Sequence, residues 1–198
     1  MALTLYGTSH SRAARVLWML EEAGLAYEHQ PISFMTSGQD PAYLAINPAG
    51  SVPCLVDDGF ALAESLAINL YVAQKHRVLW PAEAEAQALA LQWSFFAATS
   101  FEPEVMRWGL HSLWLPKDRG NPEEAKAALA ALQRPLARLE LALQKNEWIL
   151  GSEFSVADLN VAGVLWFMQK EFVGFPKVSA WLARALARQA YARVQTKD

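Results

Sequence analysis

SVPCLVDDGFALAES, from Ser51 to Ser65, is the stretch that decides how this chain folds. Two short apolar runs flank Asp57-Asp58-Gly59, and an Asp-Gly pair between such runs is typical of a β-hairpin turn. A Val-Pro step precedes the first run, and Glu64-Ser65 follows the second run at the start of another apolar segment. The stretch therefore predicts two paired strands, with a proline at their entrance and a helix directly after them.

The residues before this stretch alternate between strand and helix patterns. LTLYG is a short apolar strand that ends at Gly7, and SRAARVLWMLEEAGL has helical spacing with Gly24 at its end. Ser9 or Ser11 is placed to cap that helix. AYEHQPIS predicts a second strand, and SGQDPAYLAINPAG predicts a loop around a short helix. With a helix from Glu64 to His76, the order β-α-β-α-β-β-α predicts a small mixed sheet with helices packed on it.

The chain beyond His76 has a helical pattern and no convincing strand. Asn121-Pro122-Glu123-Glu124 has the cap, the proline and the acidic first turn of a helix start. Pro135 lies inside that helix and predicts a kink or a restart. Ser155 and Asp158 have the spacing of a capping box. We therefore predict an α/β domain over 1–77, a linker at about 78–86 and an all-α helical-bundle domain over 87–198.

Composition excludes several protein classes. A net charge of −3 argues against nucleic acid or an acidic membrane surface as a partner. The one cysteine, Cys54, rules out an internal disulfide and fits a reducing compartment. The N-terminus lacks the pattern of a signal peptide, and the longest apolar run, 161–168, is far shorter than the ~20 residues that span a bilayer. We expect a cytoplasmic protein.

The Val52-Pro53 step has two interpretations. A cis bond would turn the chain sharply and leave the N–H and C=O of Val52 free to pair with an extended, peptide-like ligand. The alternative is an ordinary trans proline at the start of a strand.

The Glu64-Ser65 pair lies at a predicted helix start, where spare N–H groups and a positive helix end attract a carboxylate. The serine hydroxyl adds a donor, and the glutamate accepts from an ammonium group. A ligand with both an α-amino and an α-carboxylate group would suit this pair. Routine helix capping is the alternative.

The segment from Thr8 to Ser11 places three hydroxyls and an imidazole at a strand-to-helix junction. A hydroxyl and a helix end there would stabilise an anion, and a bound thiol with a reference pKa near 8.5 would shift toward thiolate. A serine hydrolase is a weaker interpretation, because no G-x-S-x-G elbow is present. An N-cap is the simple alternative. Together, the three features outline a small peptide with an amino-acid end and a thiol, which is the outline of glutathione.

At this point the chain resembles the soluble glutathione transferase superfamily, in its bacterial-like form with a serine/threonine-type active site. LYGTSHSRAARVLWMLEEAGLAYE is similar to the family's first strand and helix, NPAGSVPCLVDDGFALAESLAI to its glutathione-site signature, and SVADLNVAGVL to its helical-domain capping motif. The resemblance implies a thioredoxin-like first domain with a cis bond at Pro53. It also implies a homodimer that binds glutathione as co-substrate in the cleft between domains, without a metal.

The resemblance implies roles for five residues in glutathione binding. The backbone of Val52 would pair with the cysteinyl unit, while Glu64 and Ser65 would hold the γ-glutamyl end. Ser51 matches a position that often touches the cofactor, and Gln39 lies in the loop that contacts the glycyl end.

The resemblance leaves three hydroxyls as candidates for activating the thiol. Ser11 matches the plant-type serine enzymes when positions are counted from LYG, and Thr8 matches when they are counted back from Arg12. We rank Ser11 first, then Ser9, then Thr8. Families with an active-site cysteine place it near His10, and its absence here argues against reductase chemistry. Cys54 is predicted to be a buried small hydrophobic residue.

An apolar second substrate is expected against the helical domain. The candidate wall residues lie at the end of its first long helix: Phe101, Met106, Trp108, His111 and Trp114. The alternative for each is a place in the core between domains.

Three functions fit this sequence. The leading one is a detoxifying enzyme that conjugates glutathione to an apolar electrophile. The second keeps the fold and turns glutathione over catalytically, as isomerases or dehalogenases do. The third is a non-catalytic binding module, which the intact Val-Pro and Glu-Ser elements argue against.

Overall fold

The computed structural model describes residues 2–197, which form two compact units. The first unit contains residues 2–81 and 187–197, and the second contains residues 82–186. The sequence predicted a helical domain over 87–198, but residues 187–197 cluster with the α/β unit. The outermost predicted limits, residues 1 and 198, lie outside the described residues.

The first unit is built on a four-stranded sheet. Its strands are β1 (Leu3–Tyr6), β2 (Glu28–Gln30), β3 (Cys54–Asp57) and β4 (Phe60–Ala63). They lie in the order β2-β1-β3-β4, with β2 parallel to β1 and the other two pairs antiparallel. Leu5 and Leu55 are direct partners across the sheet and are fully buried. This arrangement confirms the predicted mixed sheet.

The turn between β3 and β4 has the predicted form. Asp58 and Gly59 both have positive φ, 47° and 91°, as the two central residues of a type I′ hairpin turn require. Glycine adopts such a φ without strain, and aspartate tolerates it better than most residues.

The helices of the first unit are α1 (Ala13–Ala23), α2 (Pro41–Leu44), α3 (Ser65–His76) and α9 (Gln189–Val194). Gly24 ends α1 in the left-handed conformation, and its N–H bonds to the carbonyls of Leu20 and Glu21. α1 packs against α3 and α9. On the α9 side, the ring of Tyr191 packs edge-on against Trp18 at 4.9 Å, which explains why the last helix belongs to this unit.

The second unit is helical throughout. Its α-helices are α4 (Ala84–Phe96), α5 (Glu102–Gly109), α6 (Pro122–Ala142), α7 (Val156–Leu165) and α8 (Pro176–Leu186). Two π-helical segments, Ala97–Phe101 and Leu110–Trp114, follow α4 and α5, and a 3₁₀ segment, Trp166–Glu171, follows α7. Within residues 82–186 the only β pairing is a single bridge between Trp148 and Gly151.

Pro135 does not restart α6, which runs as one helix from Pro122 to Ala142. Proline removes one backbone donor from the helix. Leu132, Leu136 and Leu139 on the same helix are buried and keep this part of it packed in the core.

The capping box of α7 is confirmed. Asp158 accepts hydrogen bonds from the N–H and the hydroxyl of Ser155, at 3.0 and 2.9 Å. Its other oxygen accepts from the N–H of Ile149 and the indole of Trp181, both at 2.8 Å. Asp158 therefore joins α7, α8 and the segment before α7 through one buried carboxyl group.

None of the helices in residues 2–197 combines the length and apolarity that crossing a membrane requires.

Candidate glutathione site

The Val52-Pro53 peptide bond is cis, which confirms that prediction. Val52 is partly exposed and lies just before β3, whose pairing with β1 begins at Cys54 and Tyr6. Within residues 2–197, no backbone hydrogen bond joins Val52 to another residue. Both backbone polar groups of Val52 thus remain available to a ligand that lies alongside it.

The carbonyl of Ser51, next to Val52, is held by two side chains. Tyr43 donates its hydroxyl to Ser51 O at 2.6 Å, and Asn47 donates its amide at 2.7 Å. Burial raises the pKa of the Tyr43 phenol, which keeps it protonated as a donor. These bonds fix the direction of the chain as it enters the Val52-Pro53 step.

A third side chain holds the preceding residue. Ser37 is buried and donates its hydroxyl to the carbonyl of Gly50 at 2.6 Å. A β-carbon on Gly50 would lie 2.7 Å from the α-carbon of Gly38, so the two segments need glycine at position 50 to approach so closely. Gln39 follows in the same 3₁₀ turn, Ser37–Gln39, and is exposed.

The helix that the sequence predicted from Glu64 begins at Ser65, which is buried, while Glu64 before it is exposed. Glu64 has φ 69° and ψ 105°, which is rare for a residue with a side chain. Strained backbone of this kind is concentrated at ligand-binding sites, which supports a functional role for the pair.

Arg15 joins this part of the site through its guanidinium group, which lies close to the Ser65 hydroxyl. Its Nη1 donates to Ser65 Oγ at 3.3 Å, and the arginine is 8% exposed. The cation lies beside the N-terminus of α3, whose spare N–H groups also favour an anion.

Ser11 lies at the turn that leads into α1. Its hydroxyl donates to the carbonyl of Thr8 at 2.8 Å and accepts from the N–H of Ala13 at 3.1 Å. A β-carbon built on Gly7 would lie 3.5 Å from Ser11 Oγ and 3.2 Å from the Val52 side chain. The same β-carbon would lie only 2.7 Å from the Ala13 side chain, so Ser11, Val52 and Ala13 all pack closely around Gly7 and Ser11 Oγ lies near Val52.

The other candidate hydroxyls differ in their surroundings. Ser9 donates its hydroxyl to the carbonyl of Lys197 at 2.8 Å, so its proton points toward the C-terminal residues. Thr8 is partly buried, and its carbonyl accepts from both the N–H and the hydroxyl of Ser11. His10 is exposed.

Cys54 is 1% exposed, and burial raises the pKa of its thiol. A buried, protonated thiol is a poor nucleophile, so the side chain is the small hydrophobic core residue that the sequence predicted.

The helical unit contains an open cavity of about 580 Å³. Its lining comes from the end of α5, the π-helical segment after it and the 3₁₀ segment after α7: Trp108, Ser112, Leu113, Trp166, Phe167, Gln169, Lys170 and Glu171. Trp108 stacks on Phe167 with ring centroids 6.0 Å apart.

Of the candidate wall residues in the helical unit, only Trp108 lines this cavity. Phe101 is fully buried and packs edge-on against Phe96. His111 is half-buried, and its Nδ1 accepts from the N–H of Asn121 at 3.3 Å. Trp114 covers Gly109, where an added β-carbon would lie 2.5 Å from the indole ring.

The sequence interpretation missed Arg15, Ser37, Tyr43 and Asn47. Asn47 before a proline signals a turn, and its side chain does accept from the N–H of Ala49 at 3.3 Å. The bond from its amide to Ser51 has no local signal. The same holds for Arg15, which lies fifty positions from Ser65.

Two family models match the chain: the glutathione S-transferase N-terminal domain over residues 1–74 and the glutathione S-transferase C-terminal domain over residues 122–184. Glutathione S-transferase F13 of Arabidopsis thaliana is 31% identical over 208 residues, which covers 98% of this chain and 95% of the relative. The chain belongs to the glutathione S-transferase family. A second relative within the family, glutathione S-transferase 3 of Zea mays, is 33% identical, and the match covers 96% of this chain and 91% of the maize protein.

A solved structure agrees with this membership. The theta class glutathione S-transferase from Xanthomonas axonopodis pv. citri, determined with glutathione bound, has a TM-score of 0.87 and 30% identity. The match covers 99% of this chain and 98% of the Xanthomonas chain. The protein thus has the glutathione S-transferase fold, a thioredoxin-like domain followed by a helical domain, and it is a transferase whose co-substrate is glutathione.

Within residues 2–197, no group of three His, Cys, Asp or Glu side chains is arranged to hold a metal ion.

Proposed function

We propose that this glutathione transferase conjugates glutathione to apolar electrophiles and that Ser11 is the hydroxyl that stabilises the thiolate. The observation that carries the proposal is the position of Ser11 Oγ, which lies close to Gly7 on the same side as the Val52 side chain. A hydroxyl hydrogen can rotate away from Thr8 O toward a sulfur anion. The N–H of Ala13, which donates to the same oxygen, makes that O–H a stronger donor.

We place the cysteinyl unit of glutathione against the backbone of Val52. Its N–H and C=O would exchange hydrogen bonds with the ligand in the manner of an added strand. Ser51, held by Tyr43 and Asn47, would contact the ligand next to this pair. Pro53 is buried and has no N–H, so it would contribute through the course of its backbone without donating a hydrogen bond.

We place the γ-glutamyl end at Glu64 and Ser65. The carboxylate of the ligand would accept from the hydroxyl and the N–H of Ser65, and the Arg15 cation would favour its charge. The exposed side chain of Glu64 would accept from the ammonium group. Gln39 in the exposed turn after Ser37 is proposed for the glycyl end.

The apolar electrophile is proposed to contact Trp108, which borders a cavity in the helical unit. Phe101 and His111 have weaker support as substrate contacts. Phe101 is fully buried, and the His111 ring accepts a hydrogen bond from Asn121. A conjugating enzyme of this kind would serve detoxification in the cytoplasm, where a free thiol such as Cys54 stays reduced.

We also propose that the protein is a homodimer. Large apolar side chains are exposed on both units, including Phe60 at 52% and Phe95 at 66%. Exposed apolar side chains of this size are typical of surfaces that associate. Light scattering or analytical ultracentrifugation at micromolar concentration would measure the mass, and a monomer mass of 22.0 kDa would contradict the proposal.

Retention on immobilised glutathione followed by turnover assays tests the proposed function. The expected result is retention, elution by free glutathione and conjugation of at least one apolar aromatic halide or unsaturated carbonyl compound. Isomerisation or dehalogenation without a stable conjugate would favour the alternative in which glutathione is regenerated in each catalytic cycle. Retention without turnover of any electrophile would favour a binding module.

A further inference from the structure

The C-terminal segment, residues 188–197, is fastened to α1 by charged side chains. Arg188 makes a two-pronged ion pair with Glu22, with Nε–Oε1 at 2.6 Å and Nη2–Oε2 at 2.8 Å. Arg193 pairs with Glu21 at 2.6 Å and also donates to the Glu21 carbonyl at 3.0 Å. Bidentate contacts of this kind fix the relative orientation of the two side chains in addition to pairing their charges.

Glu21 also fixes the end of this segment. Its Oε1 accepts from the Tyr27 hydroxyl at 2.8 Å and pairs with the Lys197 ammonium at 3.0 Å. The same ammonium lies 5.1 Å from the centre of the Tyr27 ring. Burial alone would raise the pKa of the Glu21 carboxyl, but hydrogen bonds from Arg193, Lys197 and Tyr27 lower it.

A hydrogen bond from Ser9 connects this segment to the loop that carries Ser11. Ser9 Oγ donates to the carbonyl of Lys197 at 2.8 Å, across 188 positions of sequence. On its other side the loop is held at Gly7, whose N–H bonds to Gln30 O at 3.0 Å. The stretch from Thr8 to Ser11 is thereby held just before Thr8 and at Ser9.

The direction of the Ser9 bond separates its role from that of Ser11. A serine hydroxyl has one proton, and the proton of Ser9 is donated to Lys197 O. Ser11 donates only to Thr8 O, within its own loop, so a ligand can compete for its proton without releasing the loop from the rest of the molecule.

We infer that Ser9 is a positioning residue and that the C-terminal segment, through Lys197, holds the loop in the conformation in which Ser11 meets the thiol. This rests on the proposed role of Ser11. The functional unit would then include residues 188–197, which contact α1 and Ser9.

A double-mutant cycle tests the connection. Ser9→Ala removes the hydroxyl, and Lys197→Met removes the ammonium that fixes the carbonyl acceptor. Each single variant is expected to lower kcat at neutral pH by roughly two- to tenfold, the range for one net hydrogen bond, with the KM for glutathione nearly unchanged. Because both changes release the same contact, the double variant should lose little more than either single variant. Ser9→Thr should retain most of kcat.

Amide hydrogen exchange supplies a readout that needs no turnover. The N–H of Ser11 bonds to Thr8 O at 3.1 Å and should exchange faster in both single variants, with the exchange of α6 and α7 unchanged. Glu147→Gln is the matched control, because Glu147 pairs with Arg184 in the helical unit. It should leave both kcat and exchange at Ser11 as in the wild type.

Distinct outcomes would overturn the inference. Two outcomes would show that Lys197 and Ser9 do not act together. One is a kcat and an amide exchange rate at Ser11 that both single variants share with the wild type, and the other is a loss of kcat in the double variant equal to the two single losses combined. A large rise of the bound thiol pKa in Ser9→Ala, with no change in Lys197→Met or in exchange, would make Ser9 the activating hydroxyl instead. If the wild type conjugates no electrophile, the proposed function fails, while the exchange arm still decides whether the segment holds the loop.

Discussion

Arg15 on α1 donates from Nη1 to the hydroxyl oxygen of Ser65 on α3, at 3.3 Å, with both residues buried. Because the serine accepts from the cation, its own proton remains to be donated to a ligand. The pair therefore presents a donor and a positive charge at the same helix start. That combination suits a carboxylate better than either group alone.

Ser65→Ala is expected to weaken glutathione binding by about 1–3 kcal/mol, because it would remove the charge-assisted hydrogen bond proposed between Ser65 and the ligand carboxylate. The fold should survive, since a serine at a helix start contributes only ~1 kcal/mol to stability. Isothermal titration measures the Kd, and thermal unfolding checks the fold. An unchanged Kd in a folded variant would remove Ser65 from the site.

Ser11→Ala is expected to raise the pKa of the glutathione thiol in the complex and to lower kcat at neutral pH. The Kd for glutathione should change little, because the rest of the ligand is proposed to be held by Val52, Glu64 and Ser65. One unit of thiol pKa corresponds to about 1.4 kcal/mol of preference for the thiolate. Titration of thiolate absorbance and of conjugation rate against pH measures both quantities.

Raising the pH should restore part of the rate in Ser11→Ala, because more thiolate then forms without the hydroxyl. Thr8→Ala is the comparison within the same loop. A shift of the titration curve in Thr8→Ala alone would move the activating role to that residue. No shift in Thr8→Ala, Ser9→Ala or Ser11→Ala would end the hydroxyl mechanism and direct attention to His10, Tyr6 or a backbone N–H.

Asp57 at the end of β3 should make the free energy of unfolding depend on pH in the acidic range. Burial alone would raise the pKa of its carboxyl, but hydrogen bonds from Lys75 and from the Tyr71 hydroxyl, the latter at 2.8 Å, lower it. A folded pKa below the unfolded value of about 3.9 gives stabilisation that is complete above that value. It is lost as the pH falls through the folded pKa.

Asp57→Asn should accordingly be less stable than the wild type at neutral pH, and the difference should shrink as the pH falls below about 4. Urea unfolding at a series of pH values measures this. A constant difference between the two proteins from neutral to acid pH would show that the charge of Asp57 contributes nothing.

Asp158→Ala is expected to cost about 3 kcal/mol or more of unfolding free energy. It would leave the buried N–H groups of Ile149 and Trp181 without their acceptor, and each such loss costs about 1–3 kcal/mol. Ser155→Ala should cost only ~1 kcal/mol, as for other cap residues. Equal losses in the two variants, measured by urea unfolding, would contradict the dominant role of the carboxylate.

Local patterns predicted the elements of this fold because they depend on neighbours in sequence. The hairpin at Asp58-Gly59 follows from backbone preference, and the capping box at Ser155 and Asp158 follows from a four-residue spacing. In each of these cases a single segment supplies both the pattern and the geometry. Val52, Ser65 and Ser11 were chosen as candidate site residues from proline and helix-start signals together with the family resemblance, and their roles stay predictions.

Contacts between distant segments were not predictable in this way. Nothing beside Arg15 indicates that its charge faces Ser65, and nothing beside Ser9 indicates that Lys197 accepts its proton. The sequence also assigned residues 187–197 to the helical domain from their helical pattern alone. They join the first unit through the packing of Tyr191 on Trp18 and the ion pairs of Arg188 and Arg193 with Glu22 and Glu21, contacts that form only in the folded chain.

If this enzyme binds thiol-reactive electrophiles as proposed, its own cysteine is at risk of being alkylated by its substrates. The one sulfhydryl that this chain possesses, Cys54, lies 1% exposed within β3 and keeps its proton because burial raises its pKa. The folded enzyme should therefore resist self-inactivation by maleimides and similar reagents. It also offers a clean background for site-specific labelling, since any cysteine introduced at an exposed position would be the single reactive one.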